Sequence, residues 1–201
     1  MNPIGGNMKN LFNFTAKQIA GIAVLLALVI VLQAVGGSIT IGAVSLNFTL
    51  IPIVLGGILF GATVGGILGF ACGVVVLIQV IMGLNPFYLA IWSNDPVVTT
   101  LTCILKTTVA GILCGVAYKL ISKKSPVVAL FTASAIVPVV NTGLFIVGCL
   151  FMSSVYGMSE GQNVLVFILV GLVTFNFVFE FLVNVIVAPA LKRVIKIVNK
   201  E

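Results

Sequence analysis

The chain has 201 residues, of which 61% are hydrophobic and only 7% charged, with a mean hydropathy of +1.32. A soluble domain is about 25% charged, so this composition excludes a soluble globular fold and points to a polytopic membrane protein. The net charge of +6 arises from ten Lys and Arg against four acids. These basic residues cluster at the ends of apolar runs, which reads as membrane topology and not as a nucleic-acid surface.

Lys9 and Lys17 precede an apolar run from Ile19 to Val35, followed by Gly36, Gly37 and Ser38. At 17 residues the run exceeds the ~7–15 of a signal-peptide core, so it is expected to be a first membrane helix over about 17–35. One edge of it carries Ala16, Ala20, Ala23 and Ala27, and small residues at such spacing let another helix approach closely. Internal packing and partner docking are both open for that edge. The following loop, 36–47, has β-like character in Ser38-Ile-Thr-Ile.

No charge occurs between Leu46 and Gly83. One helix of that length would reach ~57 Å, nearly twice the ~30 Å hydrocarbon core. Two helices are therefore expected, 48–60 and 63–82, with a turn near Phe60-Gly61-Ala62. Gly57, Gly61, Gly65, Gly69 and Gly73 recur every fourth residue and predict a flat strip for close helix packing or sliding. The segment 83–96 is polar and broken, and its Tyr88 and Trp92 suit a membrane–water interface. Asn94 and Asp95 precede Pro96, where an N-cap role competes with a ligand contact.

The fourth helix, 96–121, contains Lys106, the one base set deep in a span; Lys119, Lys123 and Lys124 close it. The fifth, 127–152, carries Pro138 and Asn141 in its middle. The sixth, 164–190, bears Asn176, Glu180 and Asn184, which share a stripe at a spacing of four. A carboxyl group at membrane depth costs ~2.5–3.5 kcal/mol on insertion scales, so Glu180 must face protein or a wet cavity. It serves either as a structural tie or as part of a ligand site. Counted down their helices, Lys106 and Glu180 are offset by ~9 Å. Pairing would make Lys106 structural; without it, Lys106 stands ready for an acidic group on a ligand.

The basic clusters before the first helix, between the fourth and fifth, and after the sixth fall on one side of a six-helix chain. The positive-inside rule makes that side, with both termini, cytoplasmic. The loops 36–47, 85–95 and 153–163 then gather outside, above Lys106, Asn141 and Asn176. Cys72, Cys103, Cys114 and Cys149 lie in apolar segments without metal-ligand or redox spacing, so neither disulfides nor metal are expected. There is no histidine, no GxxxxGK[ST] phosphate loop, and no cofactor motif.

The Ala-rich first helix, the run Leu46-Asn-Phe-Thr-Leu-Ile-Pro-Ile-Val-Leu-Gly-Gly-Ile-Leu-Phe-Gly, and the segments Val137-Pro-Val-Val-Asn-Thr-Gly and Asn176-Phe-Val-Phe-Glu resemble the substrate-binding S components of energy-coupling factor (ECF) vitamin transporters. The resemblance implies an all-α, single-domain, six-helix subunit of a bacterial cytoplasmic membrane that captures a vitamin from outside and has no enzymatic activity of its own. It implies work with a transmembrane coupling protein and two cytoplasmic ATP-binding subunits, docked through the face bearing Ala23 and Ala27. Trp92, Asn94, Asp95, Lys106, Asn141, Asn176 and Glu180 are the candidate substrate-binding residues. An acidic vitamin such as pantothenate comes first, riboflavin or another precursor next. The alternatives are a self-contained secondary carrier or channel, against which stands the lack of an inverted repeat, and an intramembrane enzyme. The latter would need paired acids, metal ligands or a nucleophile–base pair stronger than Lys106 beside Thr107.

Overall fold

A computed structural model describes residues 14–36, 40–41, 44–45, 48–84, 89, 91–93, 95–151 and 174–198. Its helices are α1 (Ala16–Gly36), α2 (Leu50–Phe60), α3 (Ala62–Ile81), α4 (Pro96–Ile121), α5 (Pro126–Phe151) and α6 (Thr174–Val198). Between α1 and α2 a two-residue ladder pairs β1 (Thr40–Ile41) with β2 (Val44–Ser45), antiparallel, Thr40 opposite Ser45. The expected β-like stretch therefore ends in a small hairpin. The expected loop 153–163, residues 164–173 of the expected sixth helix, and Asn94 lie outside the described residues.

Among the described residues, four helices, α1, α3, α4 and α5, are long and apolar enough to cross a membrane. The shorter α2 reaches only ~17 Å at 1.5 Å per residue. Its start is buried in protein, with Thr49 and Leu50 fully enclosed, which is where non-helical backbone is tolerated at membrane depth. Pro52 falls in the first turn of α2, where a missing N–H forfeits no helical bond. The turn into α3 falls at Gly61, whose φ of +88° suits a residue without Cβ.

The glycine strip is a packing seam. Gly65 of α3 meets Gly111 of α4, Gly69 meets the Thr107 carbonyl, and a Cβ on Gly73 would come within 2.7 Å of the Cys103 carbonyl. Thr107 seals the crossing by donating from Oγ1 to the Gly69 carbonyl at 2.7 Å. The α3–α4 contact is the most extensive in the molecule, followed by α4–α5, where Gly148 abuts Thr102. A Cβ on Gly57 of α2 would sit 3.1 Å from Cys114 Sγ, so α2 lies over the same seam. All four cysteines are buried free thiols.

Gly69→Val should destabilise the protein by about 1–3 kcal/mol, as overpacking does, because the added carbons meet backbone. Gly143→Ala, where a Cβ meets nothing within 4 Å, should leave stability unchanged. Thermal unfolding in detergent distinguishes the two.

Candidate functional site

Each described helix brings, in it or at its start, a polar side chain or a thiol into the buried interior. On α1 the inward stripe is Leu25, Val29, Gln33 and Gly36. Gln33 donates through Nε2 to Gln79 Oε1 of α3 at 3.0 Å, and Gln79 Nε2 returns a bond to the Gln33 carbonyl at 3.0 Å. Thr49, just ahead of α2, donates to Gln33 Oε1 at 3.2 Å and lies 3.2 Å from Cys72 Sγ. Three helices are thereby joined by neutral groups, each satisfied inside the bundle as lipid exclusion requires.

Charge enters next to this network. Lys106 of α4 is buried, at 6% exposure, and its Nζ sits 5.2 Å from the centre of the Phe145 ring of α5, a cation–π distance. Glu180 of α6 is equally buried. The α3–α4 seam sets Lys106 near the level of Cys72, since Gly73 meets the Cys103 carbonyl and Gly69 the Thr107 carbonyl. Phe48, beside Thr49, meets Phe179 edge-on at 5.9 Å between ring centres, and that contact holds the Glu180 level of α6 against the start of α2.

Asn141 lies one turn from Phe145 on α5 and is 5% exposed. Its Oδ1 and the Oγ of Ser134 are buried and have no hydrogen-bond partner among the described residues. Pro138 stands between them, and its missing N–H also removes the helical bond to the Ser134 carbonyl. A bare acceptor of this kind costs ~1–3 kcal/mol, and it suits a donor brought in by a ligand.

The other expected residues sort differently. Asp95 is the N-cap of α4: one carboxylate oxygen accepts from the N–H groups of Val97 at 3.1 Å and Val98 at 3.0 Å. Trp92, expected in a loop, belongs to a helical turn at 91–93 and is half-buried against the core. Fully buried Ile91 beside it explains the ordering, because it anchors the turn. Asn176 is on α6, with its side chain outside the described residues. Asn184 is buried as its stripe implied, and donates to the Glu180 carbonyl at 2.8 Å. Ala16, Ala20, Ala23 and Ala27 are all exposed.

Gln33, Thr49, Cys72 and Gln79 were not anticipated. The available signal was the presence of two glutamines inside runs otherwise almost wholly apolar, which a search for charges passes over.

A buried polar and charged cluster inside an apolar helical bundle suits a membrane-embedded binding or transport subunit. The family model for the substrate-specific component of ECF transporters matches residues 17–191, and the chain belongs to that family. Among curated proteins none matches the chain. Membership makes it a transporter subunit that takes a small-molecule substrate and works with the ECF transmembrane and ATP-binding subunits.

Replacing Gln33 or Gln79 singly by Met strands a buried amide, whereas the double replacement removes both. The cycle should return a coupling of roughly 0.6–1.7 kcal/mol, the range of hydrogen bonds between membrane helices, read from unfolding in detergent.

Proposed function

We propose that the protein is the high-affinity capture subunit of an ECF importer, taking an acidic vitamin of the pantothenate kind from outside a bacterial cytoplasmic membrane. The observation that carries this reading is the conjunction of buried Lys106 with the unpartnered Asn141 oxygen. A carboxylate on the substrate is received by Lys106, and a hydroxyl or amide N–H by Asn141, in a pocket using a few placed polar groups. Riboflavin, which lacks a carboxylate, ranks second. Asn176 and Glu180 supply further polar contacts. Trp92, Asn94 and Asp95 stand at the outer rim, with Asp95 doing so while capping α4.

Six spans with both termini cytoplasmic complete the reading. Lys119, Lys123 and Lys124 between α4 and α5, and Lys192, Arg193 and Lys196 on α6, then share the inner side. The exposed edge Ala16, Ala20, Ala23 and Ala27 meets the coupling protein, since small residues permit close helix approach without a hydrophobic drive.

Lys106→Met should weaken binding of the acidic ligand by roughly tenfold to a hundredfold, the equivalent of ~1.5–3 kcal/mol for a charged hydrogen bond. Its neutral amide analogue should bind within about threefold of the parent protein. Calorimetry on the purified subunit reads both. Equal weakening of the acid and its amide analogue by Lys106→Met overturns the acidic-ligand reading.

Ala23→Trp with Ala27→Trp should abolish uptake in vesicles holding the complete transporter while leaving binding by the isolated subunit intact. A joint loss of binding and uptake would make that edge an internal packing face.

A further inference from the structure

On the membrane face of the α3–α4 seam lies an open, apolar groove of about 440 Å³, lined by Ala62, Thr63, Gly66, Ile67, Phe70, Thr108 and Ile112. It exists because Gly66 has no side chain: a Cβ there would press within 2.8 Å of Ile112 Cγ1. From Ala62 to Phe70 it runs ~12 Å along α3, about the length of eight or nine methylene groups. Its walls are exposed, with Phe70 at 50% and Ile67 at 42%. The groove lies on a different face of α3 from Cys72, since residues 70 and 72 differ by ~200° about the helix axis.

Exposed cations lie beyond its inner end. Thr108, Ile112 and Lys119 fall within ~40° of one another on α4 at 100° per residue, so the groove points along the helix toward Lys119. Gly115, between them, is closed off by Ala62. Lys119, one turn beyond, is exposed, as are Lys123 and Lys124 in the turn that follows. An apolar trough with exposed cations about two helical turns beyond its Ile112 end is complementary to a chain with an anionic head.

We infer that this groove is a binding site for an anionic phospholipid of the inner leaflet, one acyl chain lying along Gly66 and Phe70 and the phosphate held at Lys119. The inference rests on the membrane orientation proposed above and not on the identity of the vitamin. An ordinary boundary lipid differs in one respect: it has no headgroup preference at this position.

The test uses the full chain in vesicles of phosphatidylcholine doped with either phosphatidylglycerol or phosphatidylcholine bearing a photoreactive acyl chain. Cross-links are mapped by mass spectrometry. Labelling of residues 62–70 and 108–112 should favour phosphatidylglycerol by roughly fivefold per effective lysine, the equivalent of the ~1 kcal/mol a basic residue contributes at an anionic surface. Lys119→Gln should reduce that preference while leaving total labelling elsewhere unchanged. Thr63→Trp, which fills the trough from its rim, should remove labelling there with either lipid. Equal labelling by the two lipids, or a preference untouched by Lys119→Gln, overturns the inference. So does loss of labelling when the coupling protein is added, which would make the groove a protein interface. Vitamin binding, measured on the same samples, tests the proposed function separately.

Discussion

Two helices in a bilayer gain nothing by hiding leucines from water, because lipid tails are as apolar as leucine; what draws them together is close packing and interhelical hydrogen bonding. The α3–α4 seam uses both. Gly65, Gly69 and Gly73 let the backbones touch, and Thr107 bonds across to Gly69. Because Gly73 is locked opposite Cys103 and Gly69 opposite Thr107, the depth of every other residue on the two helices is set as well. Cys72 and Lys106 fall at nearly the same level as a consequence. The position of the buried cation is therefore fixed by glycines that never touch it.

The same constraint divides the molecule lengthwise. Toward the end that carries Asp95, the interior holds Gln33, Thr49, Cys72, Lys106, Asn141 and Glu180. Toward the end that carries Lys119, it holds Val54, Ile58, Val64, Ala110 and Cys114. Neutral amides do the joining in the polar half, at little cost because each donor finds an acceptor within 3.2 Å. Asn141 Oδ1 is an exception, as is Ser134 Oγ about two turns away, among the described residues. An unsatisfied acceptor inside an otherwise satisfied network is the sort of local inconsistency that functional sites retain.

What the sequence made readable followed from length and periodicity. A charge-free run too long for one helix demanded a turn, and the turn falls at Gly61. Glycines every fourth residue demanded a close neighbour, which is α4. Asp before Pro left a cap and a ligand contact both open, and the cap is what Asp95 makes. The Gln33–Gln79 pair was hidden because its partners are 46 residues apart and neither is charged, so no local pattern joins them. The level of Glu180 is not legible from one apolar run alone, because the Phe48–Phe179 contact holds that part of α6 against the start of α2 from across the bundle. The groove beside Gly66 is defined by a missing side chain, and an absence becomes legible only once its neighbours are placed.

Helix α1 stands where these themes meet. Its inward stripe carries Gln33 into the polar network, and its opposite edge presents the exposed alanines. Residues 25 and 27 differ by ~200° around the helix axis, so the two roles occupy opposite faces of one rigid rod. Coupling between two sites requires a physical element whose position both of them bias. An α1 held to α3 by reciprocal amide bonds meets that condition: a partner that grips the alanine edge takes hold of a rod already bonded to the group beside Cys72. If Gln33 were apolar, the same rod could rotate against lipid without breaking a bond, and the alanine edge would lose its fixed heading relative to the site.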